Sequence, residues 1–445
     1  MLFASIPDPS LLRQLPPQVN GIEFRLDLFP ALDFSRLRRL IASSSLPLLF
    51  TLRKTSQGGG FSKSEEEREL LIERLLSLRP PFFDLEADMR PQFLQQLPQK
   101  YPQTRFILSA HHFEQRLPDL ESIYRSMTRF EAHAYKLACL CPLASDALQL
   151  LLFAKGKPRL SAVCLGANAE FARVLSPVFG NELNYASVRE GDKTAAGQLC
   201  VTELTEIYRY SNLNSQTALY GLIGDPVDKS QGHLYHNAVF EKRALNAVYV
   251  KMRVQEEELP TFLPLAKAAG FTGLSITTPL KEKILPHLNT LDKEAEQIGA
   301  VNTLLLTEGQ WCGLNTDGKG ALDALEKRGA MQGKKIALIG TGGVAKAIAF
   351  EAKKRGAFVE IFNRTTKTAL EQLPSSYDLL INCTSHPLPI SGQNISPSTL
   401  VMDVSYFLSE TAFLLEAKKR GCQTLNGQEM FLNQAALQTE IWIGH

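Results

Sequence analysis

Residues 335–345 read KIALIGTGGVA, in which an apolar run leads into the glycine pattern GxGxxA. The pattern predicts a strand, a tight turn and a helix over 345–354, and the apolar run at 358–362 predicts the next strand. Glycines at such a turn let backbone N–H groups approach a pyrophosphate at the N-terminus of the helix. A glycine motif alone is weak evidence, but its strand–turn–helix–strand context favours a dinucleotide-binding α/β fold over a purely structural turn.

The residues after the second of these strands indicate which dinucleotide binds. An enzyme that uses NAD usually places Asp or Glu at this point, where the acid binds the ribose hydroxyls. Here residues 363–367 read NRTTK, with two cations and no acid. Arg364 and Lys367 would attract a 2′-phosphate, so the sequence predicts NADPH as the cofactor; a solvated pair of charges is the alternative reading.

Short apolar runs alternate with helix-like segments through the first half of the chain. The runs that predict strands are 2–6, 21–29, 46–53, 82–87, 105–109, 133–140, 160–165 and 184–188. The clearest helix follows Ser64, a serine N-cap succeeded by three glutamates that suit the helix dipole. Eight strands that alternate with helices and are apolar on both faces predict a (β/α)8 TIM barrel over residues 1–212. A polar stretch at 211–217 predicts the linker to the second half.

Composition excludes several classes of protein. The chain has 445 residues and a formal net charge of +2, which gives no electrostatic reason to expect nucleic acid as a partner. No apolar run reaches the roughly 18 residues that a membrane span needs. The seven cysteines are odd in number and scattered, and the N-terminus does not resemble a signal peptide, so we expect reduced thiols and a cytoplasmic location. The expected partners are small molecules, without nucleic acid, membrane or metal.

Lys136 lies in the middle of the apolar run at 133–140. Burial of an ammonium group is costly and lowers its pKa, which leaves part of the lysine as a neutral amine. A neutral lysine can attack a ketone and form a Schiff base. The alternative is a structural ion pair between Lys136 and Glu23, because such pairs also perturb pKa values.

Other polar residues lie at the predicted C-terminal ends of the barrel strands, where barrels of this type carry their reactive groups. His111 ends the fifth predicted strand and could move protons beside an iminium. Arg25, Arg53 and Arg173 could hold an anionic substrate, because guanidinium groups bind carboxylates bidentately. Together these groups predict lyase or aldolase chemistry on a small keto acid.

These residues resemble those of the type I 3-dehydroquinate dehydratases. The resemblance runs through 23–25 (EFR), 51–53 (TLR), 109–113 (SAHHF), Lys136, Arg173 with 179–180 (FG), and 194–198 (TAAGQ). It implies that Lys136 forms an imine with the substrate ketone, that His111 moves protons during syn elimination of water and that Glu23 supports the histidine. It further implies a reaction without cofactor, with substrate held by Glu23, Arg25, Arg53, Arg173, Thr194 and Gln198.

Polar clusters at 228–230, 277–281, 299–303 and 314–318 precede the dinucleotide-binding stretch. Each alone would more often be a helix cap or a turn. Together they resemble shikimate dehydrogenase, with Lys281 and Asp317 at the positions of its catalytic pair. The resemblance assigns substrate contacts to Ser230, Thr277, Asn302, Tyr406 and Gln434. It assigns cofactor contacts to Gly340, Thr341, Gly342, Gly343, Val344, Ala345, Asn363, Arg364, Thr365, Lys367, Thr384 and Gly427.

The same resemblance implies how the second half is organised. A substrate-binding lobe is expected over 218–322, completed by a C-terminal helix over 427–445, and a Rossmann lobe that binds NADP is expected over 323–426. Several positions depart from the two families. Gln57 stands where some dehydratases carry Glu, and Ser275 stands where dehydrogenases usually carry Asn. Gly232 replaces a serine expected to bind the substrate carboxylate, and we expect His233 or a water molecule to take its place.

The two resemblances together imply two consecutive reactions of the shikimate pathway, which leads to chorismate and the aromatic amino acids. The chain is expected to dehydrate 3-dehydroquinate and then to reduce 3-dehydroshikimate to shikimate with NADPH. One alternative is a regulator that senses quinate or shikimate and has lost catalysis, but all four expected catalytic residues are present. Another is an NAD-linked quinate dehydrogenase, against which the two cations at 363–367 argue.

Overall fold

The computed structural model describes residues 1–114, 116–363 and 377–444. Contacts between residues divide the chain into two compact units. The first unit comprises Met1–Ala218, Phe240–Met252 and Pro264–Ala269, and the second comprises Leu219–Val239, Arg253–Leu263 and Gly270–His445. Within the described part of the chain, no helix combines the length and apolarity needed to cross a bilayer.

The first unit contains a sheet of eight parallel strands, which confirms the predicted barrel-type α/β fold. In chain order, β1 to β8 are Leu2–Ile6, Gly21–Arg25, Leu48–Thr51, Phe82–Glu86, Arg105–His112, Ala134–Leu140, Leu160–Leu165 and Asn184–Ser187. The helices described between them, α1 to α6, are Phe34–Ser43, Glu65–Leu76, Pro91–Lys100, Leu120–Met127, Ala144–Ala154 and Glu170–Leu175. Helix α2 begins where its sequence predicted, with a reciprocal capping box between Ser64 and Glu67.

The strand order is β7-β6-β5-β4-β3-β2-β1-β8, so strands that follow one another in the chain pair, and β8 returns to β1. Among the described residues, no backbone ladder joins β7 to β8. Side chains bridge this seam instead: the Asn181 side chain donates to the Ala162 carbonyl at 2.7 Å, and the Leu183 N–H donates to Ser161 Oγ at 3.1 Å. These bonds satisfy backbone groups that a closed ladder would otherwise pair.

Two barrel strands end three or more residues away from the ends of their predicted runs. The apolar run at 21–29 forms a strand only as far as Arg25, and a 3-10 turn over Leu26–Leu28 follows. Strand β5 continues to His112, three residues beyond the apolar run at 105–109 and one beyond His111, because its pairing with β6 extends through His111 and His112. Apolar periodicity misses this extension, since the side chains of His111 and His112 are polar.

Strands β9 to β14 form after the barrel, and they belong to a mixed sheet. In chain order they are Ala218–Gly224, Ala247–Arg253, Phe271–Ile276, Thr290–Leu291, Thr303–Thr307 and Gln310–Leu314. Helices α7 to α11 are Gly232–Lys242, Leu259–Ala269, Leu280–Lys283, Lys293–Ile298 and Asp317–Glu326. Strand β11 runs parallel to β9 and antiparallel to β13, so the C-terminal end of β11 and the start of β13 lie at one edge.

A parallel sheet of five strands follows, as the glycine motif predicted. Strands β15 to β19 are Lys335–Ile339, Phe358–Phe362, Leu379–Asn382, Leu400–Asp403 and Gln423–Leu425, and helices α12 to α14 are Gly343–Lys354, Ala412–Lys419 and Gln428–Ile443. The order β16-β15-β17-β18-β19 reverses direction at β15. Ligands of open α/β sheets bind in the crevice at such a reversal, which here lies between the ends of β15 and β17. The boundaries between the expected lobes of the second half stay predictions.

Two candidate active sites

A cavity of about 280 Å³ lies among the C-terminal ends of the barrel strands. Side chains from the ends of neighbouring parallel strands converge at this face of a barrel. The residues predicted for the first half all line this cavity: Glu23, Arg25, Arg53, His111, Lys136, Arg173, Thr194 and Gln198. The fold therefore brings together residues that are widely separated along the chain.

Lys136 is buried, and its Nζ donates a hydrogen bond to Asp84 Oδ2 at 2.6 Å. Burial lowers the pKa of Lys136, and the Asp84 carboxylate opposes this shift only in part. Burial also acts to raise the pKa of Asp84, but Arg53 and Lys136 outweigh it, so Asp84 stays ionised. The alternative ion pair between Lys136 and Glu23 is wrong, because the carboxylate that contacts the lysine is that of Asp84.

The imidazole of His111 is oriented by Gln57. Nδ1 of His111 lies 3.2 Å from Gln57 Oε1, and the backbone N–H of His111 donates to the same oxygen at 3.0 Å. Gln57 Nε2 donates to Asp88, which fixes the orientation of the amide. An amide oxygen only accepts, so Nδ1 carries the hydrogen and Nε2 is left to accept a proton. Burial, followed by the charges of Arg53 and Lys136, lowers the pKa of His111 well below its ordinary value.

Glu23 does not support the histidine, contrary to our expectation. The described contacts of its carboxylate are with Ser5 Oγ at 2.5 Å and Thr51 Oγ1 at 2.8 Å. Gln57 occupies the position beside His111 instead. A neutral amide orients the ring but adds no charge to stabilise an imidazolium, which agrees with the low pKa of His111.

Replacement of Gln57 with glutamate is expected to raise the pKa of His111, because a carboxylate beside Nδ1 stabilises the imidazolium. The measurement is a pH titration of the His111 ring by NMR in the parent and in Gln57→Glu. Gln96→Glu, an exposed substitution on α3, should leave the titration unchanged. Identical His111 titrations in the parent and Gln57→Glu would contradict the contact between Gln57 and the ring.

The cavity's three arginines differ in how fully their guanidinium groups are already bound. Arg25 donates two hydrogen bonds to the Asp27 carboxylate, at 3.0 and 2.7 Å. Arg53 donates to Asp84, the buried carboxylate that also binds Lys136. Arg173 Nε donates to the Cys164 carbonyl at 3.0 Å. The buried Nη2 of Arg173 has no hydrogen-bond partner among the described residues. Arg173 is therefore the best-placed donor for an anionic group of a ligand.

Thr194 and Gln198 close one side of the cavity. Gln198 Oε1 accepts from the Thr194 backbone N–H at 2.8 Å, and Gln198 Nε2 donates to Ser5 Oγ at 3.3 Å. These bonds connect the segment after β8 to the first strand. The two residues predicted to contact substrate thus share one short hydrogen-bonded loop.

The predicted catalytic pair of the second half also meets in the structure. Lys281 Nζ donates to Asp317 Oδ2 at 2.5 Å, and both side chains are largely buried. Asn302 Nδ2 donates to the other carboxylate oxygen at 3.0 Å, so Asp317 is held from two sides. Asp317 is the first residue of α11, where the helix dipole favours a negative charge. The backbone carbonyl of Thr277 accepts from the Leu280 N–H at 2.8 Å, in the turn that leads into α9 and Lys281.

The C-terminal helix α14 completes this site. Asn302 Nδ2 lies 3.2 Å from Gln434 Oε1, and Gln438 Nε2 donates to the Asn302 carbonyl at 2.9 Å. Gln438 Oε1 accepts from Ser275 Oγ at 2.8 Å. Ser275, which stands where shikimate dehydrogenases usually carry Asn, is therefore part of a buried chain of hydrogen bonds. Gln438 was not predicted, although its spacing of four residues from Gln434 places both on one face of the helix.

Ser230 and Tyr406, two predicted substrate contacts, are neighbours. Burial raises the pKa of Tyr406, and the nearby Ser230 side chain acts to lower it. The Tyr406 ring stacks on Phe431 with centroids 4.5 Å apart. The Gly232 N–H donates to Ser230 Oγ at 3.2 Å, so part of the bonding capacity of this serine is used within the turn. A compensating role for His233 stays a prediction.

The glycine turn after β15 leaves space for a phosphate. Gly340 has a φ of +113°, and a Cβ there would lie 2.9 Å from Thr384 Cγ2 at the end of β17. A Cβ on Gly342 would meet nothing within 4 Å, and Gly342 caps α12 without a side-chain hydrogen bond. A Cβ on Gly343 would lie 3.1 Å from Lys281 Cβ. The uncapped start of α12 therefore fits a pyrophosphate, and it lies against Lys281.

The other predicted cofactor residues lie on both sides of this turn. Thr341 belongs to the turn, and Val344 and Ala345 form the first turn of α12. Gly427 precedes α14, and a Cβ there would lie 2.1 Å from the Val404 carbonyl oxygen, so only glycine allows this close approach. Asn363 directly follows β16. Arg364, Thr365 and Lys367 lie outside the described residues, so the preference for NADPH rests on their sequence.

Asp84 and Tyr185 were not predicted as site residues. Asp84 accepts a hydrogen bond from Lys136, and Tyr185 lines the same cavity as the lysine. Asp84 had a signal in the sequence, since residues 82–86 read FFDLE and carry two acids within an otherwise apolar strand. Buried acids are rarely left unpaired, so this pattern indicates an acid that could pair with Lys136. Tyr185 had no such signal, because a tyrosine in a barrel strand is an ordinary core residue.

Comparisons with known proteins match both halves of the chain. The model of the type I 3-dehydroquinase family matches residues 10–215, and that of the shikimate dehydrogenase substrate binding domain matches residues 222–304. The shikimate biosynthesis protein AroDE of Chlamydia pneumoniae is 35% identical to this chain, over 99% of this chain and 95% of the relative. The chloroplastic bifunctional 3-dehydroquinate dehydratase/shikimate dehydrogenase of Arabidopsis thaliana is 30% identical, over 95% of this chain and 77% of the relative.

The second half also has a match among solved structures. The crystal structure of a shikimate dehydrogenase in complex with NADP+ is 35% identical, with a TM-score of 0.50 over 52% of this chain and 92% of the solved chain. The two relatives named above extend the match across both halves in one polypeptide. The chain belongs to the family of bifunctional enzymes that join a type I 3-dehydroquinase to a shikimate dehydrogenase.

Proposed function

We propose that the chain catalyses two consecutive reactions, the dehydration of 3-dehydroquinate in the barrel and the reduction of 3-dehydroshikimate to shikimate in the second half. The observation that carries this proposal is the presence of two lysine–carboxylate pairs, Lys136 with Asp84 and Lys281 with Asp317. Each pair is held by additional hydrogen bonds within its own unit. The product of the first reaction is the substrate of the second.

In the barrel, the neutral fraction of Lys136 attacks the ketone carbon of the substrate. A C–N bond forms and the ketone oxygen leaves as water, which gives an imine. His111 Nε2 takes a proton from the carbon beside the imine and returns a proton to the departing hydroxyl, so that a C–O bond breaks and a C=C bond forms. Water then hydrolyses the imine and restores Lys136. Asp84 holds the lysine in place and balances its charge.

The substrate is oriented by donors around the cavity. Arg173 binds the carboxylate, because its Nη2 is buried and no described residue occupies it. Arg25, Arg53, Thr194 and Gln198 contact the hydroxyl groups or close the site around them. Arg25 and Arg53 keep part of their donors on Asp27 and Asp84, and this fixes their orientation before substrate arrives.

In the second half, NADPH supplies the hydride when bound at the glycine turn. Lys281 donates a proton to the ketone oxygen of 3-dehydroshikimate as that carbon is reduced, and Asp317 holds the lysine in position and balances its charge. Asn302, Thr277 and Gln434 bind the substrate hydroxyls beside this pair. Ser230 and Tyr406 bind the substrate carboxylate from the other side.

The cofactor proposal is supported by the uncapped start of α12 and by the cations of residues 363–367. A related shikimate dehydrogenase has been crystallised in complex with NADP+. Reduction of 3-dehydroshikimate with NADPH and with NADH at equal concentrations tests the choice of cofactor, and faster reduction with NADH would contradict it. We further propose a cytoplasmic location, where the seven cysteines, all free in the structure, stay reduced.

The decisive experiment is to add 3-dehydroquinate alone to the purified protein and NADPH. Oxidation of NADPH is expected, because the barrel must first form the substrate that the dehydrogenase reduces. A chain that only senses quinate or shikimate would consume no NADPH. If 3-dehydroquinate gives no NADPH oxidation, 3-dehydroshikimate is added next. NADPH oxidation with 3-dehydroshikimate but not with 3-dehydroquinate would show that the barrel is inactive.

A further inference from the structure

A phenol in the dehydratase cavity has no part in the reaction described above. Tyr185 lies on β8, is 5% exposed and lines the cavity that contains Lys136. Its ring stacks on Phe3 with centroids 5.8 Å apart, and Lys136 Nζ lies 4.6 Å from the ring centroid. Packing against Phe3 and contact with the catalytic lysine therefore hold the ring in one position.

The Tyr185 hydroxyl is buried and has no hydrogen-bond partner among the described residues. Other buried phenols of the barrel are bound: the Tyr135 hydroxyl donates to the Phe130 carbonyl at 2.8 Å, and the Tyr210 hydroxyl lies 3.2 Å from Ser176 Oγ. An unpaired buried hydroxyl is unfavourable, and phenylalanine would fill the same space without it. A partner supplied by bound substrate accounts for a hydroxyl at this place.

The chemistry of the hydroxyl narrows what it can bind. Burial raises the pKa of Tyr185 well above its ordinary value, and the nearby carboxylates of Asp84 and Glu23 raise it further. The phenol is therefore a neutral hydrogen-bond donor. Arg173 offers the charged donor in the same cavity and suits the carboxylate of the substrate. The Tyr185 hydroxyl therefore suits an uncharged oxygen of the substrate.

We infer that Tyr185 is a further substrate-contacting residue of the dehydratase, whose O–H donates to a ketone or hydroxyl oxygen of the substrate ring beside Lys136. This bond holds the ketone carbon against the lysine amine. The inference rests on the proposed dehydratase reaction and adds a specificity contact to it. A cyclic ketone without the oxygen that Tyr185 binds would leave the Tyr185 hydroxyl unpaired, so the site would bind such a compound less well than the substrate.

Tyr185→Phe, which removes one oxygen atom, tests the inference. The expected result is a fall of about tenfold in dehydratase kcat/KM, as for the loss of one hydrogen bond in a desolvated site. The melting temperature of the ligand-free variant should equal or exceed that of the parent, since an unpaired buried hydroxyl is removed. Reduction of 3-dehydroshikimate by the same chain should be unchanged. Tyr135→Phe is the matched control, expected to lower the melting temperature and to leave kcat/KM unchanged.

Binding without catalysis gives a second readout. In a Lys136→Met background, which can hold substrate but cannot form the imine, adding Tyr185→Phe should raise the Kd for 3-dehydroquinate about tenfold by calorimetry. An unchanged Kd together with an unchanged kcat/KM overturns the inference. A lower melting temperature of ligand-free Tyr185→Phe also overturns it, because the hydroxyl would then have a structural partner. A parent protein without dehydratase activity would refute the proposed function instead.

Discussion

Replacement of Lys136 with alanine is expected to lower dehydratase kcat/KM by on the order of 10⁴-fold or more, because the nucleophile is lost. Among the described residues that line the cavity, Lys136 is the only lysine. Borohydride reduces an imine to a stable amine, so it should attach substrate to the peptide that contains Lys136 in the parent and not in the variant. Steady-state kinetics and peptide mass spectrometry measure the two effects.

Two controls accompany this variant. Lys100→Ala removes an exposed lysine paired with Glu73, and it should leave dehydration unchanged. Lys136→Met keeps most of the buried volume, and it should fail in dehydration as Lys136→Ala does, so that loss of packing is separated from loss of the amine. Both Lys136 variants should reduce 3-dehydroshikimate at the parent rate, because that site lies in the other unit. A borohydride adduct in Lys136→Ala would place the imine on another residue.

Replacement of Asp317 with asparagine is expected to lower kcat for the reduction of 3-dehydroshikimate by about 10²- to 10⁴-fold, the usual range for loss of acid–base catalysis. Asparagine keeps the size of the side chain and an oxygen that can accept from Asn302. It removes the charge that holds Lys281 for proton transfer. Steady-state kinetics with NADPH test this, and KM should change much less than kcat.

Asp323→Asn is the matched control for this substitution. Asp323 lies on the same helix, α11, but its carboxylate is partly exposed and pairs with Arg355 at 2.7 Å. Its replacement should leave kcat and KM unchanged, since exposed ion pairs contribute little. A rise in KM with an unaltered kcat in Asp317→Asn would show that Asp317 binds substrate without assisting proton transfer. Dehydration of 3-dehydroquinate should be unaffected in both variants.

The sequence pattern predicted the barrel well, because its signals are local. A buried parallel strand is apolar on both faces, and β1, β4, β6 and β7 begin and end within one residue of the predicted runs. The strand ends were less predictable at β2 and β5. Strand β2 ends before its apolar run does, and the backbone pairing of β5 continues into polar residues. The glycine turn was predicted correctly because the conformation at Gly340 requires glycine in the sequence itself.

The partners within the barrel site could not be predicted in the same way. Lys136 was identifiable, since a charge in an apolar run is an anomaly that can be seen locally. Its partner Asp84 is 52 residues away, on a strand separated from β6 by β5. Glu23 was an equally acceptable carboxylate from sequence alone. The choice between them depends on the register of β4, β5 and β6, in which Ser109 lies opposite both Glu86 and Lys136.

The sequence by itself determined the two α/β folds, the glycine turn and the lysines and acids of both sites, because periodicity, backbone conformation and isolated charges are local properties. Only the tertiary structure decided which groups meet. It paired Lys136 with Asp84, placed Gln57 beside His111 and joined Gln438 to Asn302 across 136 residues. It also left the Tyr185 hydroxyl without a hydrogen-bond partner among the residues that the structure describes. Such contacts follow from strand register and helix packing, which depend on the whole chain at once.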